Sequence, residues 1–327
     1  MKLFKNSNTE PYFNMATEQY LLDNIDGEIF MLWINDPVVV IGKNQNAYAE
    51  LDLDFVEKNK IKTVRRLTGG GAVFHDRGNV NFTFIIPQDE NRVLDFKGFT
   101  QPIIDALTKL GATNVRLSGR NDIMIEDRKV SGNAQCVYNG KIMHHGTLLY
   151  DSDISQLVGA LRVDEEKIKS KGIKSVKNRV GNIKDFINSD MTPTQFKEKI
   201  EEYVTQNGDF EICEFSDEQK KEIEKMSKEK YSTWEWNFGK SKEFTHENKL
   251  RFDFGSVGIS VLCEGGLIVD FKITGDFFGV KNPETLSKEF IGKRFGKEAI
   301  KKVIEEKSIV ISDYIAGMTT EDFLRLI

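Results

Sequence analysis

From Glu28 to Asp151 the chain keeps returning to short β-rich runs separated by turn residues, and this rhythm limits the fold more than any other feature. EIFMLWI and PVVVIG are split by Asn35-Asp36-Pro37. KTVRRL, GAVFHD and NVNFTFII follow, with Gly-rich or Asp-Arg-Gly turns between them. A helical stretch, FTQPIIDALTKL, stops at Gly111. Then come NVRLS, DIMIED, KVSGNAQCVY and KIMHHGTLLYD, with Asp127-Arg128 and Asn139-Gly140 as hairpin turns. EPYFNMATEQYLLDN, begun by Pro11, reads as an amphipathic first helix. Further helices are expected in ISQLVGAL, in TPTQFKEKIEEYVTQNG with Thr192 as N-cap, and in DEQKKEIEKMSKEKY.

The pattern changes after STWEWNFGKSKEFTHENK. LRFDFGSVGISVLCEGGLIVDFKITGDF reads as three antiparallel strands, and PETLSKEFIG, GKEAIKKVIEE and TEDFLRLI as helices. That is enough for a separate small α+β unit, so two domains are expected, 1–247 and 248–327. The 327 residues can bury a core without a disulfide or metal staple. The net charge of −5 argues against a protein built to bind nucleic acid or a membrane surface. Cys136, Cys213 and Cys263 are widely spaced and form no metal framework. No run is long and apolar enough to span a membrane, and the start lacks an apolar leader, so a cytoplasmic protein is expected.

Four clusters could carry chemistry. In RRLTGGGAVFHDRGN, two arginines precede three glycines. The glycines read either as a flexible hairpin between strands or as exposed backbone donors beside a guanidinium, suited to phosphate or carboxylate. No P-loop and no helix-opening G-x-G-x-x-G is present. In SGRNDIMIEDRKVSGNAQ, Asp122 can meet a metal–phosphate complex, and Lys129 opens a strand beside small residues that let a ligand approach. Each of these also reads as ordinary rim polarity. Adjacent His144 and His145 point to opposite faces of a strand, so they cannot share one zinc; one is expected inward and hydrogen-bonded, the other peripheral. His75 has no Ser or Cys beside it, so a hydrolytic triad is unsupported. KSVKNRVGNI is a basic, amide-rich loop in an acidic chain.

Taken in order, RRLTGGGAVFHDRGN, GRNDIMI…RKVSGNAQ, HHGTLL and KSVKNRVGNI resemble lipoate–protein ligase A. LWINDPVVVIGKNQN, YSTWEWNFG and the C-terminal unit extend the likeness over essentially the whole chain. The resemblance implies an α+β fold: a mixed β-sheet catalytic domain like that of biotin ligases and class II synthetases, plus a small accessory domain. It implies that lipoate and Mg-ATP give lipoyl-AMP and pyrophosphate, and that the lipoyl group then passes to a lysine of an acceptor domain. Acceptors so implied are the lipoyl domains of 2-oxoacid dehydrogenase complexes and the glycine-cleavage H protein.

Carried over by residue, the resemblance assigns lipoate binding to Arg65, Arg66, Thr68, Gly69, Gly70, Gly71, Ala72, Lys129 and His145. It assigns ATP to Arg66, Gly71, Ala72, Val73, Phe74, Asn121, Asp122, Lys129, Lys177, Arg179 and Val180, with Asp122 towards Mg²⁺ and Lys129 as the catalytic residue. No tightly bound prosthetic group is expected. Two other readings remain open: an ATP-independent octanoyl or lipoyl transferase using Cys136, and a non-catalytic lipoyl-binding protein. Without coiled-coil heptads or a self-pairing segment, a monomer is expected.

Overall fold

The β-rich rhythm resolves into three sheets. The computed structural model describes residues 1–161, 179–206, 208–238, 246–264 and 267–327. The main sheet has the order β11-β1-β2-β6-β10-β9-β8-β7. Its members are β1 (Lys2–Lys5), β2 (Ile29–Ile34), β6 (Asn79–Pro87), β7 (Val115–Ser118), β8 (Asp122–Ile125), β9 (Arg128–Tyr138), β10 (Lys141–Leu149) and β11 (Glu211–Cys213). β1 runs parallel to both β2 and β11, and the other pairings are antiparallel, so the sheet is mixed. Asn139 and Gly140 both take positive φ, which closes β9 onto β10 in a tight hairpin.

Both faces of this sheet are covered, which is why β2 and β6 are buried along almost their whole length. On one face Phe30, Leu32, Phe82 and Phe84 pack against helices Phe96–Lys109 and Pro193–Thr205. Thr192 and Gln195 start the second of these with a reciprocal capping box. On the other face Met31, Trp33, Ile85 and Met143 meet the first helix, Pro11–Asn24, and a small sheet of β3 (Val38–Ile41), β4 (Lys62–Arg65) and β5 (Val73–His75).

The first helix is buried nearly all round, not along one stripe. Asn14, Thr17, Glu18 and Gln19 are buried with the apolar residues because helix Asp217–Met226 and the turn after it cover the side expected to face water. Each finds a polar partner, as burial requires. Gln19 meets Lys230 and Tyr231, and Glu18 meets Thr83 and His145.

In the small sheet the order is β4-β3-β5, with β3 parallel to β4 and antiparallel to β5. The segment holding Gly69-Gly70-Gly71 therefore crosses from one side of β3 to the other. The hairpin alternative for the glycines is excluded, because β4 and β5 do not pair.

The C-terminal unit is a meander of β12 (His246–Phe252), β13 (Gly255–Glu264) and β14 (Leu267–Gly275), backed by helices Pro283–Phe290, Lys297–Glu306 and Thr320–Leu324. Its own core includes Val257, Ile259, Phe271, Phe290 and Phe323. The turn after β14 touches the larger unit. Gly275 N–H donates to Asn44 O at 2.9 Å, Gly70 N–H donates to Phe277 O at 3.3 Å, and Phe278 packs on Phe96.

Candidate active site

A slot lies between the main sheet and the small one. Its floor crosses the main sheet: Trp33 on β2 sits opposite Asn81 on β6, Asn81 opposite Thr147 on β10, and the neighbouring Gly146 opposite Asn133 on β9. Three strand spacings give the slot a run of about 14 Å. Its roof is Arg66, Gly70, Gly71 and Ala72, continued along β5 by Val73 and His75. Phe74 takes the opposite face of β5 and packs with Val39 and Ile41 outside the slot, as strand alternation dictates.

The two arginines divide the work. Arg65 is fully buried and is spent on the main chain. Its Nη1 donates to Gly42 O (2.9 Å), Lys43 O (3.2 Å) and Gln45 O (2.6 Å), its Nε to Trp236 O (3.1 Å), and its Nη2 to Asn237 O (2.8 Å). It does not line the slot. Arg66 does, and it holds the glycine crossing in shape: Nη2 donates to Gly69 O (2.6 Å) and Gly71 O (2.8 Å), and Nε to Thr68 Oγ1 (2.9 Å). Burial pushes both guanidinium groups down to about 10, which leaves them cationic at neutral pH.

Thr68 extends the network. His145 Nε2 lies 2.8 Å from Thr68 Oγ1, and His145 Nδ1 lies 2.8 Å from the buried Glu18 carboxylate, which also accepts from Thr83 Oγ1 at 2.7 Å. Neither histidine is peripheral, although one of the pair was expected to be. His144 takes the opposite face from His145 and is wholly buried there, its ring stacked on Phe99 at 4.9 Å, because that face is covered by helix Phe96–Lys109.

Lys129 stands at the β9 end. A register shift between Ile123 and Met124 of β8 marks a bulge where Lys129 enters the ladder, a device that re-aims a side chain. Its Nζ is 2.7 Å from Asp122 Oδ1, and a Cβ on Gly132 would lie 3.1 Å from it, so the bare glycine gives the amine its seat. Asn121 lines the same end and exchanges hydrogen bonds with Asn133. Val180 bridges to Lys129, and Gly181 N–H donates to Lys129 O at 3.0 Å. Arg179 is exposed beside them. Lys177 and the rest of the basic loop before Arg179 lie outside the described residues.

Cys136 lies two residues beyond Ala134, outside the slot, against the first-helix cluster, and burial pushes its thiol up to about 12. That is the opposite of an activated nucleophile. Among the described residues no group of three or more His, Cys, Asp or Glu is placed to hold a metal. What the site offers is a lysine at one end of a slot, a buried guanidinium and bare glycine backbone in its roof, and apolar walls that include Met15, Trp33 and Val40. This arrangement suits a carboxylic acid with a long apolar tail brought against a phosphate.

Several residues here escaped the sequence reading. Gly42 lies under the crossing, Gln45 accepts from Gly42 N–H at 2.8 Å, and Glu18, Asn133 and Asn237 hold the site's frame. Only Gly42, closing an apolar run, carried a local signal. From the C-terminal unit, Phe277 O would lie 2.4 Å from a Cβ on Gly69, and Arg120 sits over the Phe278 ring at 4.3 Å with Nη2 on Asp276 O.

The model of the lipoyl protein ligase A/B catalytic domain matches residues 10–205, and that of the bacterial lipoate protein ligase C-terminus matches 241–327. The chain belongs to the lipoate–protein ligase family. It is 41% identical to lipoate-protein ligase LplJ of Bacillus subtilis, with 97% of each chain covered. It is 39% identical to lipoate–protein ligase 1 of Staphylococcus aureus over 100% of this chain and 99% of the other. Plasmodium falciparum LipL1, solved with lipoate, shares the fold at TM-score 0.78 and 24% identity, covering 99% of this chain and 97% of that one. A lipoate-protein ligase A solved with ATP superposes at TM-score 0.62 and 25% identity, covering 73% and 98%. The mixed-sheet α+β expectation and the ligase family both hold, and the cysteine transferase reading is not favoured.

Proposed function

We propose that the protein is an ATP-dependent lipoate–protein ligase whose chemistry runs at the β9 end of the slot. The observation that carries this reading is that Lys129 and Arg66 line one slot, with glycine backbone beside them and an apolar tail space behind. In the first step a lipoate carboxylate oxygen attacks the α-phosphorus of ATP, the bond to the pyrophosphate oxygen breaks, and pyrophosphate leaves. Crowding of anionic oxygens is the barrier, and fixed cations lower it without giving up a proton. Lys129 neutralises the acyl and phosphate oxygens. Arg66 holds Gly69 to Ala72 as a cradle, while Arg65 fixes that cradle from behind. In the second step an acceptor lysine amine attacks the acyl carbonyl, the bond to the phosphate oxygen breaks, and AMP leaves. The chain's task there is to hold the carbonyl and exclude water.

The nucleotide falls to Gly71 to Val73, Asn121, Lys129, Arg179 and Val180, with Lys177 carried over from the family resemblance. Asp122 is a single carboxylate at the phosphate end. That fits a magnesium ion arriving on ATP, which keeps its waters and phosphate ligands, better than an ion caged by protein. The acceptors are lipoyl domains of 2-oxoacid dehydrogenase complexes or the glycine-cleavage H protein; one solved relative from Thermoplasma acidophilum is described with its E2 lipoyl domain. Three free cysteines fit a reducing, cytoplasmic compartment. The enzyme is read as a monomer of two units, 1–247 and 248–327, the second with a core of its own.

The test is lipoate-dependent exchange of labelled pyrophosphate into ATP. Lys129→Ala is expected to lose about a hundredfold or more of the exchange with its melting temperature unchanged, since a half-exposed lysine adds little packing. Exchange that ignores lipoate, or a Lys129→Ala enzyme of full rate, refutes the reading.

A further inference from the structure

The deep end of the slot holds a polar atom that the chemistry at Lys129 does not use. His75 is 4% exposed and lines the slot, and its Nε2 is the one buried side-chain polar atom without a partner among the described residues of the lining. Its tautomer follows from its neighbours. Asn14 Nδ2 donates to the carbonyls of Asn8 and Ile34, so the Asn35 atom facing it at 2.8 Å is an oxygen. Asn35 then presents its Nδ2 to His75 Nδ1, 3.1 Å away, which must accept. The ring proton is left on Nε2. Burial, reinforced by the charges of Arg66 and His145, pushes the imidazole down to about 3, so it stays neutral.

Position along the slot decides what this N–H meets. Moving away from the glycine crossing, β5 places Val73 opposite Val40 and then His75 opposite Val38. The His75 ring sits 6.0 Å from that of Trp33, on the strand farthest from β9 in the floor. A fatty acid with its carboxylate at Lys129 therefore brings its far end to His75. Lipoate and a plain acyl chain differ only there, where lipoate carries two sulfurs.

We propose that His75 determines acyl specificity by donating Nε2–H to a dithiolane sulfur, so that the slot favours lipoate over an acid of the same shape without sulfur. The inference rests on the ligase reading above. Sulfur is a weak acceptor, so the gain comes mostly from the loser: a sulfur-free tail leaves a buried donor unpaired, and a site built for a hydrogen bond rejects ligands that cannot complete it.

The experiment compares kcat/KM in ATP–pyrophosphate exchange for lipoate and for 5-cyclopentylpentanoate, its carbocyclic isostere. The full-length enzyme is expected to favour lipoate about tenfold. His75→Leu is expected to bring the ratio near one, with the isostere as good a substrate as before or better, and His75→Gln, which keeps an N–H, to retain a preference. Equal use of the two acids by the unaltered enzyme overturns the proposal without any variant, as does a His75→Leu enzyme in which both acids fall by the same factor. If the unaltered enzyme activates neither acid, the ligase reading itself has failed and takes this inference with it.

Discussion

Gly42 closes β3, and its bare Cα lies beneath the glycine crossing. A Cβ there would meet Gly70 O at 2.1 Å and Arg66 Nη2 at 3.3 Å. To open the first contact to 3.0 Å, the tightest approach that real side chains show, something must move by about 0.9 Å. The strand end is pinned, with Gly42 N–H on Gln45 Oε1 at 2.8 Å and Gly42 O taking Arg65 Nη1 at 2.9 Å. The crossing therefore yields, and with it the carbonyls of Gly69 and Gly71 that orient Arg66. A misplacement on the order of 1 Å in a positioning element costs up to about a hundredfold in rate. Gly42→Ala is accordingly expected to lower kcat/KM for lipoate in pyrophosphate exchange by roughly 10- to 100-fold, with about 1–3 kcal/mol lost from unfolding in urea. Gly140→Ala is the control. It sits at φ +71 in the β9–β10 hairpin with open space around it, so it should lower stability while kcat/KM stays within twofold. A Gly42→Ala enzyme within twofold of the parent would refute the claim that this contact sets the cradle.

Cys136→Ser should leave lipoate activation within twofold of the parent, because a half-buried thiol pushed up to about 12 contributes no nucleophile; loss of activity in a folded variant would reopen the transferase reading. Glu18→Leu removes the acceptor of Thr83 and the partner of His145 at once, and is expected to cost about 3 kcal/mol in urea unfolding. A loss under 1 kcal/mol would show that the two freed groups find other partners. Stability should also fall in acid on account of His75. The unfolded chain takes up a proton below the ordinary 6.5 while the folded one resists down to about 3, so each pH unit in that window costs about 1.4 kcal/mol. Between pH 7 and pH 5 the loss of unfolding free energy should therefore be smaller in His75→Leu by about 2 kcal/mol, and parallel pH profiles would count against a neutral buried imidazole.

How much of this the sequence disclosed depends on range. Period-2 runs, the Asn139-Gly140 turn and the Thr192 cap are local signals, and they found the strands, hairpins and helices they specify. Pairing is not local. β4 and β5 flank the Gly-rich crossing, yet both pair with β3, which lies upstream of them, so a hairpin was as good a reading until the sheet order was known. Polar residues in the first helix, Glu18 and Gln19 among them, suggested a wet face. Their partners Thr83, His145, Lys230 and Tyr231 come from distant segments. At the candidate site, Lys129, Arg66 and the glycines stood out by residue type in context. The different task of Arg65 did not, because a guanidinium aimed at carbonyls looks the same in sequence as one aimed at a ligand.

Arg65 also bears on where the chain can be divided. Its guanidinium collects carbonyls from 42–45 and from Trp236 and Asn237, while Asn237 Oδ1 accepts its N–H and the Trp236 indole donates to its carbonyl. During synthesis, β4 leaves the ribosome long before residues 236–237 do. Until they arrive, a buried cation waits with two of its five carbonyl acceptors missing. A fragment ending at residue 205, where the catalytic family model stops, would carry that defect permanently. One extended through Phe238 would carry the two residues that complete the cage, and is the shorter piece to make when the larger unit is wanted alone.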